Sequence, residues 1–121
     1  MTLTKITEHV YWLPPGKPDR PSLCVVIGEQ QTVLLDAGAS FAHTGLFLDA
    51  LKLENVSSPS LAVLTHWHWD HVFGAAELGV PILAHRETRE RLITLAGYEW
   101  SNEALEYRVT TGEEITMCAE D

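Results

Sequence analysis

Four of the six residues in His66-Trp67-His68-Trp69-Asp70-His71 carry side chains able to ligate a metal. The run directly follows Leu61-Ala62-Val63-Leu64, a short apolar stretch of the kind that forms a buried strand. That adjacency constrains the fold. Three imidazoles and a carboxylate at the mouth of a buried strand are costly to desolvate without partners, so the chain has to gather them around something they share. In extended backbone, residues two apart face the same side. His66 and His68 therefore converge, while Trp67 and Trp69 face away, toward packing or the rim of a cleft. Asp70 and His71 fall where the next helix begins, and the turn brings them back to the same region. Imidazole nitrogens and a carboxylate suit zinc, and also iron or manganese.

Periodicity on either side places this run in an α/β chain. Ile6 to Leu13 reads as one strand, stopped by Pro14-Pro15-Gly16. Ser22 to Gly28 and Thr32 to Asp36 are two further strands, joined at Glu29-Gln30-Gln31 and ended at Asp36-Ala37-Gly38. From Ser40, a candidate N-cap, the period turns helical, with Leu46, Phe47, Ala50, Leu51 and Leu53 as its core stripe. After the strand Leu61 to Leu64, Val72 to Leu78 reads as a helix capped by Gly79, and Pro81 to Ala84 as a strand. Thr88 to Ala96 reads as a helix with Leu92, Ile93, Leu95 and Ala96 inward, and Glu87 four residues before Arg91 as an ion pair on its surface. Glu114 to Cys118 is a further candidate strand. The loaded residues thus sit at the carboxyl end of a strand, where ligand sites of open α/β sheets lie.

At 121 residues and 45% hydrophobic composition, the chain is one modest domain that can bury a core. It has no apolar run of membrane-spanning length, and its N-terminus lacks a secretory layout. Cys24 lies in an apolar run and Cys118 among polar residues, without zinc-finger spacing, so reduced thiols and a cytoplasmic location are expected. The net charge of −9, from 17 acids and 8 bases, argues against nucleic acid or an anionic membrane as partner. The expected partner is a small-molecule substrate.

Thr65-His66-Trp67-His68-Trp69-Asp70-His71 resembles the His-x-His-x-Asp-His signature of the metallo-β-lactamase superfamily, and Leu34-Leu35-Asp36-Ala37-Gly38 resembles the strand-ending Asp-x-Gly element before it. The resemblance covers nearly the whole chain. It implies a metallo-β-lactamase-like αββα sandwich, of which residues 1–121 form a single partial domain, the N-terminal half. It also implies that His66 and His68 hold one metal and Asp70 and His71 a second, zinc in the usual case. A water activated by the two metals would attack a carbonyl or phosphoryl centre, with Asp70 orienting it as the catalytic residue. Asp36 takes one of two roles on this reading: support for a ligand histidine, or a turn aspartate satisfying nearby amides.

Family members complete each metal shell from a second half of the fold. His9, His43 and His85 lie outside the contexts that would substitute for it, and are expected to be structural or exposed. Two ligands per metal fall short of the usual three plus water, so this chain alone should bind metal weakly. It should also bare the sheet face that the second half covers, inviting self-association. The leading expectation is a hydrolase of an ester, thioester, lactone or related bond, as a fragment of a longer enzyme. The competing one is a non-catalytic truncated homologue that acts as a partial metal-binding or association module. A nuclease of the same superfamily is disfavoured by the acidic charge.

Overall fold

A computed structural model of the chain describes residues 2–17 and 19–111. The elements run β1 (Thr4–Thr7), β2 (Val10–Leu13), β3 (Leu23–Ile27), β4 (Thr32–Leu35), α1 (Phe41–Leu53) and β5 (Leu61–Val63). A single 3-10 turn (Trp69–His71), α2 (Ala75–Leu78), β6 (Ile82–Leu83), α3 (Arg86–Leu95) and α4 (Asn102–Thr110) follow. The six strands form one sheet in chain order. β1 to β4 are antiparallel neighbours, whereas β4, β5 and β6 run parallel. No helix among the described residues is long and apolar enough to cross a membrane.

The parallel pair β4–β5 positions everything that follows. Because α1 carries the chain back across the sheet, both strands end at the same edge, with Leu35 beside Val63. The next residues are Asp36 on one strand and Leu64-Thr65-His66 on the other. The ladder runs one step further, as Asp36 N–H donates to the Val63 carbonyl at 2.8 Å.

Strand alternation divides the sheet into two unlike faces. On one face Leu13, Leu23, Val25, Leu34 and Ala62 are fully buried, and Phe47 and Leu51 of α1 close over them. On the other, register places Val10, Trp12, Cys24, Val26, Val33, Leu35, Leu61, Val63 and Leu83 together. These nine apolar side chains are only half-buried or exposed, Leu83 at 58%. An apolar face of this extent is the kind of surface that a second layer packs on in a two-layer sandwich.

Several expectations need correcting. Ile6 to Leu13 is a hairpin: the chain reverses at Glu8-His9, Thr7 opposes Val10, and His9 N–H donates to Thr7 Oγ1 at 3.1 Å. That turn has no Gly or Asn to announce it. Ser40 caps α1 as expected, accepting from His43 N–H at 3.1 Å. Leu53, however, is 85% exposed, since it stands about 200° around the helix from the buried Leu51. The helix expected from Val72 is confined to Ala75–Leu78, although Gly79 ends it in the left-handed region at φ 62°. On α3 the buried stripe narrows to Thr88 and Leu95, leaving Ile93 and Ala96 outside it. α4 was unannounced, and Ser101 caps it by accepting from Ala104 N–H at 3.2 Å. Arg108 fastens it, with its guanidinium 4.4 Å above the Trp100 ring and one N–H on the Glu99 carbonyl at 2.7 Å. The candidate strand Glu114 to Cys118 lies outside the described residues.

Gly74 is the tightest point of the packing. Its N–H donates to the Gly38 carbonyl at 3.0 Å, and a Cβ there would collide with Thr44 Oγ1 and the Ala37 and Ser40 carbonyl oxygens. Gly45, inside α1, faces open space. We expect Gly74→Ala to destabilise by at least about 1–3 kcal/mol through overpacking. Gly45→Ala should stabilise by about 0.5–1 kcal/mol, as Ala replaces Gly in a helix interior. Urea denaturation of the two variants checks both signs.

Candidate metal centre

Asp36 stands immediately after β4 in the left-handed region, at φ 64°. For a non-glycine residue this conformation costs of order 1–3 kcal/mol, so something must hold it. Both carboxylate oxygens are engaged across the strand gap. Oδ1 accepts from Thr65 N–H at 2.8 Å and from the Thr65 hydroxyl at 3.0 Å. Oδ2 lies 2.9 Å from the same hydroxyl and 2.8 Å from His71 Nδ1. Hydrogen bonds to a charged group contribute about 1.5–3 kcal/mol each, so this set outweighs the backbone strain. Its partners lie 29 and 35 residues away, which excludes the local turn role and leaves support of a histidine.

The network fixes which imidazole nitrogens are available. In the neutral ring His71 Nδ1 donates to Asp36, which leaves the lone pair on Nε2. Thr65 gives its own proton to Asp36, so its oxygen accepts from His66 Nδ1 at 2.8 Å. His66 Nε2 is then also a lone pair. One carboxylate thus sets the tautomers of two histidines, directly for His71 and through Thr65 for His66.

The two rings meet over the strand ends, with centroids 4.1 Å apart. Asp36, His66 and His71 each offer a ligand atom, all within 4.8 Å of one another. The donor set fits a divalent cation: two imidazoles with freed nitrogens and an anion behind them. Because both oxygens of Asp36 already accept hydrogen bonds, we assign it to supporting the histidines rather than to the ion itself. His68 and Asp70 stand just outside this group. The His68 ring is exposed and edge-on to His66 at 5.0 Å, and Asp70 Oδ2 is 3.8 Å from His71 Nε2. The expected division into His66 with His68 and Asp70 with His71 is thus not the grouping by proximity, which joins His66 to His71.

The remaining residues behave as packing and frame. Trp69 is buried against Ala39 and Trp100, while Trp67 stays half-exposed beside His68, so the two tryptophans divide the roles of packing and rim. Of the other histidines, His43 is fully buried and its Nδ1 accepts from Ala39 N–H at 3.1 Å. His85 caps α3, accepting from Glu87 N–H at 3.1 Å, and His9 is exposed at the β1–β2 turn. The turn bearing His71 is tied to the Asp36 loop by backbone, as Ala37 N–H donates to the His71 carbonyl at 2.8 Å. Thr65 and Gly74 were not singled out from sequence. Thr65 could have been, since a hydroxyl beside the first histidine is placed to relay to it.

Electrostatics follow the same bonds. Burial pushes the Asp36 carboxyl up, but the hydrogen bonds from His71 and Thr65 outweigh it and hold the group below its ordinary value. Burial pushes His71 down, yet the Asp36 hydrogen bond and charge, with Asp70, hold it above its ordinary value. His66 is pushed down by burial and then by the neighbouring His71 and His68.

In the metal-free chain, the Asp36 contribution to stability is therefore present above pH 3.8, its ordinary value, and lost as pH falls through the depressed one. The His71 contribution is complete below pH 6.5 and lost as pH rises through the raised value. The pair stabilises most between these limits, and Asp36→Asn should flatten that maximum in denaturation midpoints measured across pH. The same substitution should weaken zinc binding about 10–100-fold, read by competition with a chromophoric chelator.

Comparison with known proteins agrees with this frame. The family model described as the metallo-beta-lactamase superfamily matches residues 18–114. The metallo-beta-lactamase of Pseudomonas aeruginosa, solved in a mono-zinc form, is 21% identical with a TM-score of 0.64, covering 78% of this chain and 46% of that one. That of Erythrobacter litoralis is 23% identical with a TM-score of 0.62, covering 78% of this chain and 45% of its own. A subclass B3 enzyme of Bradyrhizobium japonicum is 21% identical with a TM-score of 0.61, covering 74% and 35%. The chain thus spans less than half the length of these structures. No match was found among curated proteins. With 97 consecutive residues matched to the family model and the same fold in these structures, the chain belongs to the metallo-beta-lactamase superfamily.

Proposed function

We propose that this chain carries the histidine-rich half of a metal-dependent hydrolase site, acting on an ester, thioester, lactone or related bond. The observation that carries the reading is the Asp36 network. It leaves the Nε2 lone pairs of His66 and His71 free on neighbouring rings, which is how a protein prepares imidazoles for a cation. On this reading His66 and His68 hold one ion, and Asp70 and His71 a second, with zinc the natural occupant and iron or manganese alternatives. A bound ion would supply an acidified water and a Lewis acid for the substrate oxygen.

The chain's own residues do the rest. Asp36 keeps the Nδ1 protons of both histidines on the protein side, so neither ring can turn its donor toward an incoming cation. Asp70, next to His71 and half-buried, accepts a hydrogen bond from the attacking water and holds it in line. Further ligands come from a second element on this reading, since the chain spans under half the length of its structural relatives. The substrate is a small molecule, because a net charge of −9 repels nucleic acid and anionic membranes. Cys24, a free thiol, accords with a cytoplasmic setting.

The half-bared sheet face favours a second reading, a non-catalytic homologue whose role is association through that face. Metal content separates the two. Dialysis against zinc should leave about two ions per chain in whatever oligomer forms, with ester or lactone hydrolysis abolished by chelator and by His68→Ala. Under about half an ion per chain, with no chelator-sensitive hydrolysis in any oligomer resolved by sedimentation, sinks the enzyme reading and leaves the association module.

A further inference from the structure

Beside the histidine run lies a cavity of about 500 Å³ lined by Thr65, Trp67, His85, Glu87, Thr88 and Arg91. It opens between the carboxyl end of β5 and the first turns of α3, and its size suits part of a small molecule. Two of its walls belong to the candidate metal centre. Thr65 is bonded to His66, and the Trp67 ring stands edge-on to His68 with centroids 4.5 Å apart.

Arg91 is the informative wall. The expected ion pair with Glu87, one helical turn away, does not form. The guanidinium carbon instead lies 4.6 Å above the centroid of the Trp67 ring. Stacking of this kind contributes about 0.5–1 kcal/mol at an exposed site, enough to bias a mobile side chain toward one pose. It occupies the face of the guanidinium and leaves the edge, with its N–H donors, unused: the Arg91 side chain makes no hydrogen bond or ion pair among the described residues. A planar fork of donors held at the mouth of a cavity matches a carboxylate in geometry and charge.

The neighbours narrow the ligand. His85 Nδ1 accepts from Glu87 N–H, so the neutral ring carries its proton on Nε2 and offers a second donor. Thr88 adds a hydroxyl. Glu87 adds a carboxylate to the same lining, which repels polyanions such as phosphate esters while a single carboxylate on the fork of Arg91 is tolerated.

We propose that this cavity is a carboxylate-binding subsite beside the metal centre, in which Arg91, braced on Trp67, receives a carboxylate remote from the bond to be cleaved. Carboxylate binding stands on the cavity alone; its use in choosing substrates rests on the hydrolase reading above. The substrates selected would be monoanionic esters or amide-like acyl compounds, with the charge a few bonds from the reacting carbonyl.

Benzoate and benzamide, alike in shape and different in charge, test the subsite on the metal-free 121-residue chain. The readout is the indole N–H resonance of Trp67 in a 15N-labelled sample, assigned with Trp67→Phe. Benzoate should shift it saturably at millimolar concentration, the shift should weaken as salt is raised, and benzamide should leave it in place. R91Q should abolish the response. Glu87→Gln, which removes the repelling charge, should tighten benzoate binding about two- to fivefold, the reach of a partly exposed charge pair. Absence of a shift, an equal shift with benzamide, or a shift that survives R91Q overturns the proposal. In zinc-loaded protein, kcat/KM for phenyl hemisuccinate relative to phenyl acetate should fall in R91Q. Hydrolysis of neither ester, with the benzoate shift intact, refutes the hydrolase reading and leaves the subsite; hydrolysis of both with no shift does the reverse.

Discussion

The carboxylate of Asp36 is the interaction on which the rest depends. It joins the end of β4 to the end of β5 through Thr65, and to the 3-10 turn through His71, so one side chain closes three segments on one another. Its left-handed backbone is tolerable because the bonds its side chain accepts all fall on charged carboxylate oxygens. The direction of its influence is outward. The strand ends are set by the sheet, the carboxylate is set by the strand ends, and the two imidazoles take their tautomers from the carboxylate.

This hierarchy explains how much of the molecule the sequence discloses. Strands β3 to β6 and the helix after Ser40 follow from short apolar runs and a capping serine, because each is a local preference that tertiary packing reinforces. The hairpin at Glu8-His9 and helix α4 were hidden for the opposite reason. One turns without glycine or asparagine, and the other is held by Arg108 on Trp100 rather than by a strong apolar stripe. At the site, spacing within His66 to His71 shows which residues meet but not which pair most closely. His66 and His71 come together because a 3-10 turn, not a regular helix, follows His68. Arg91 illustrates the same gap. Its spacing from Glu87 promises an ion pair, and a tryptophan from another element takes the guanidinium instead.

The two faces of the sheet tie fold to chemistry in a second way. One face is sealed by Phe47 and Leu51 of α1 and supplies the cooperative core. The other, among the described residues, leaves nine apolar side chains half-buried or exposed, on a chain that aligns to under half of its structural relatives. The candidate metal centre lies at the edge shared by the two faces, so a layer laid over the open one would come up to the histidines as well.

Gly74 has a consequence for how far such a chain can drift in sequence. At that point main chain meets main chain: Gly74 N–H bonds to the Gly38 carbonyl and Ala37 N–H to the His71 carbonyl, and the Thr44 hydroxyl packs in beside them on the Ala37 carbonyl at 2.6 Å. Amide-to-carbonyl bonds are indifferent to the identity of the residues that make them. A scaffold whose active edge is clamped largely by backbone can exchange most of its surface and much of its core and still deliver the same few side chains to the same place. Relatives that share only about a fifth of their residues with this chain, yet keep its fold, are what such a clamp permits.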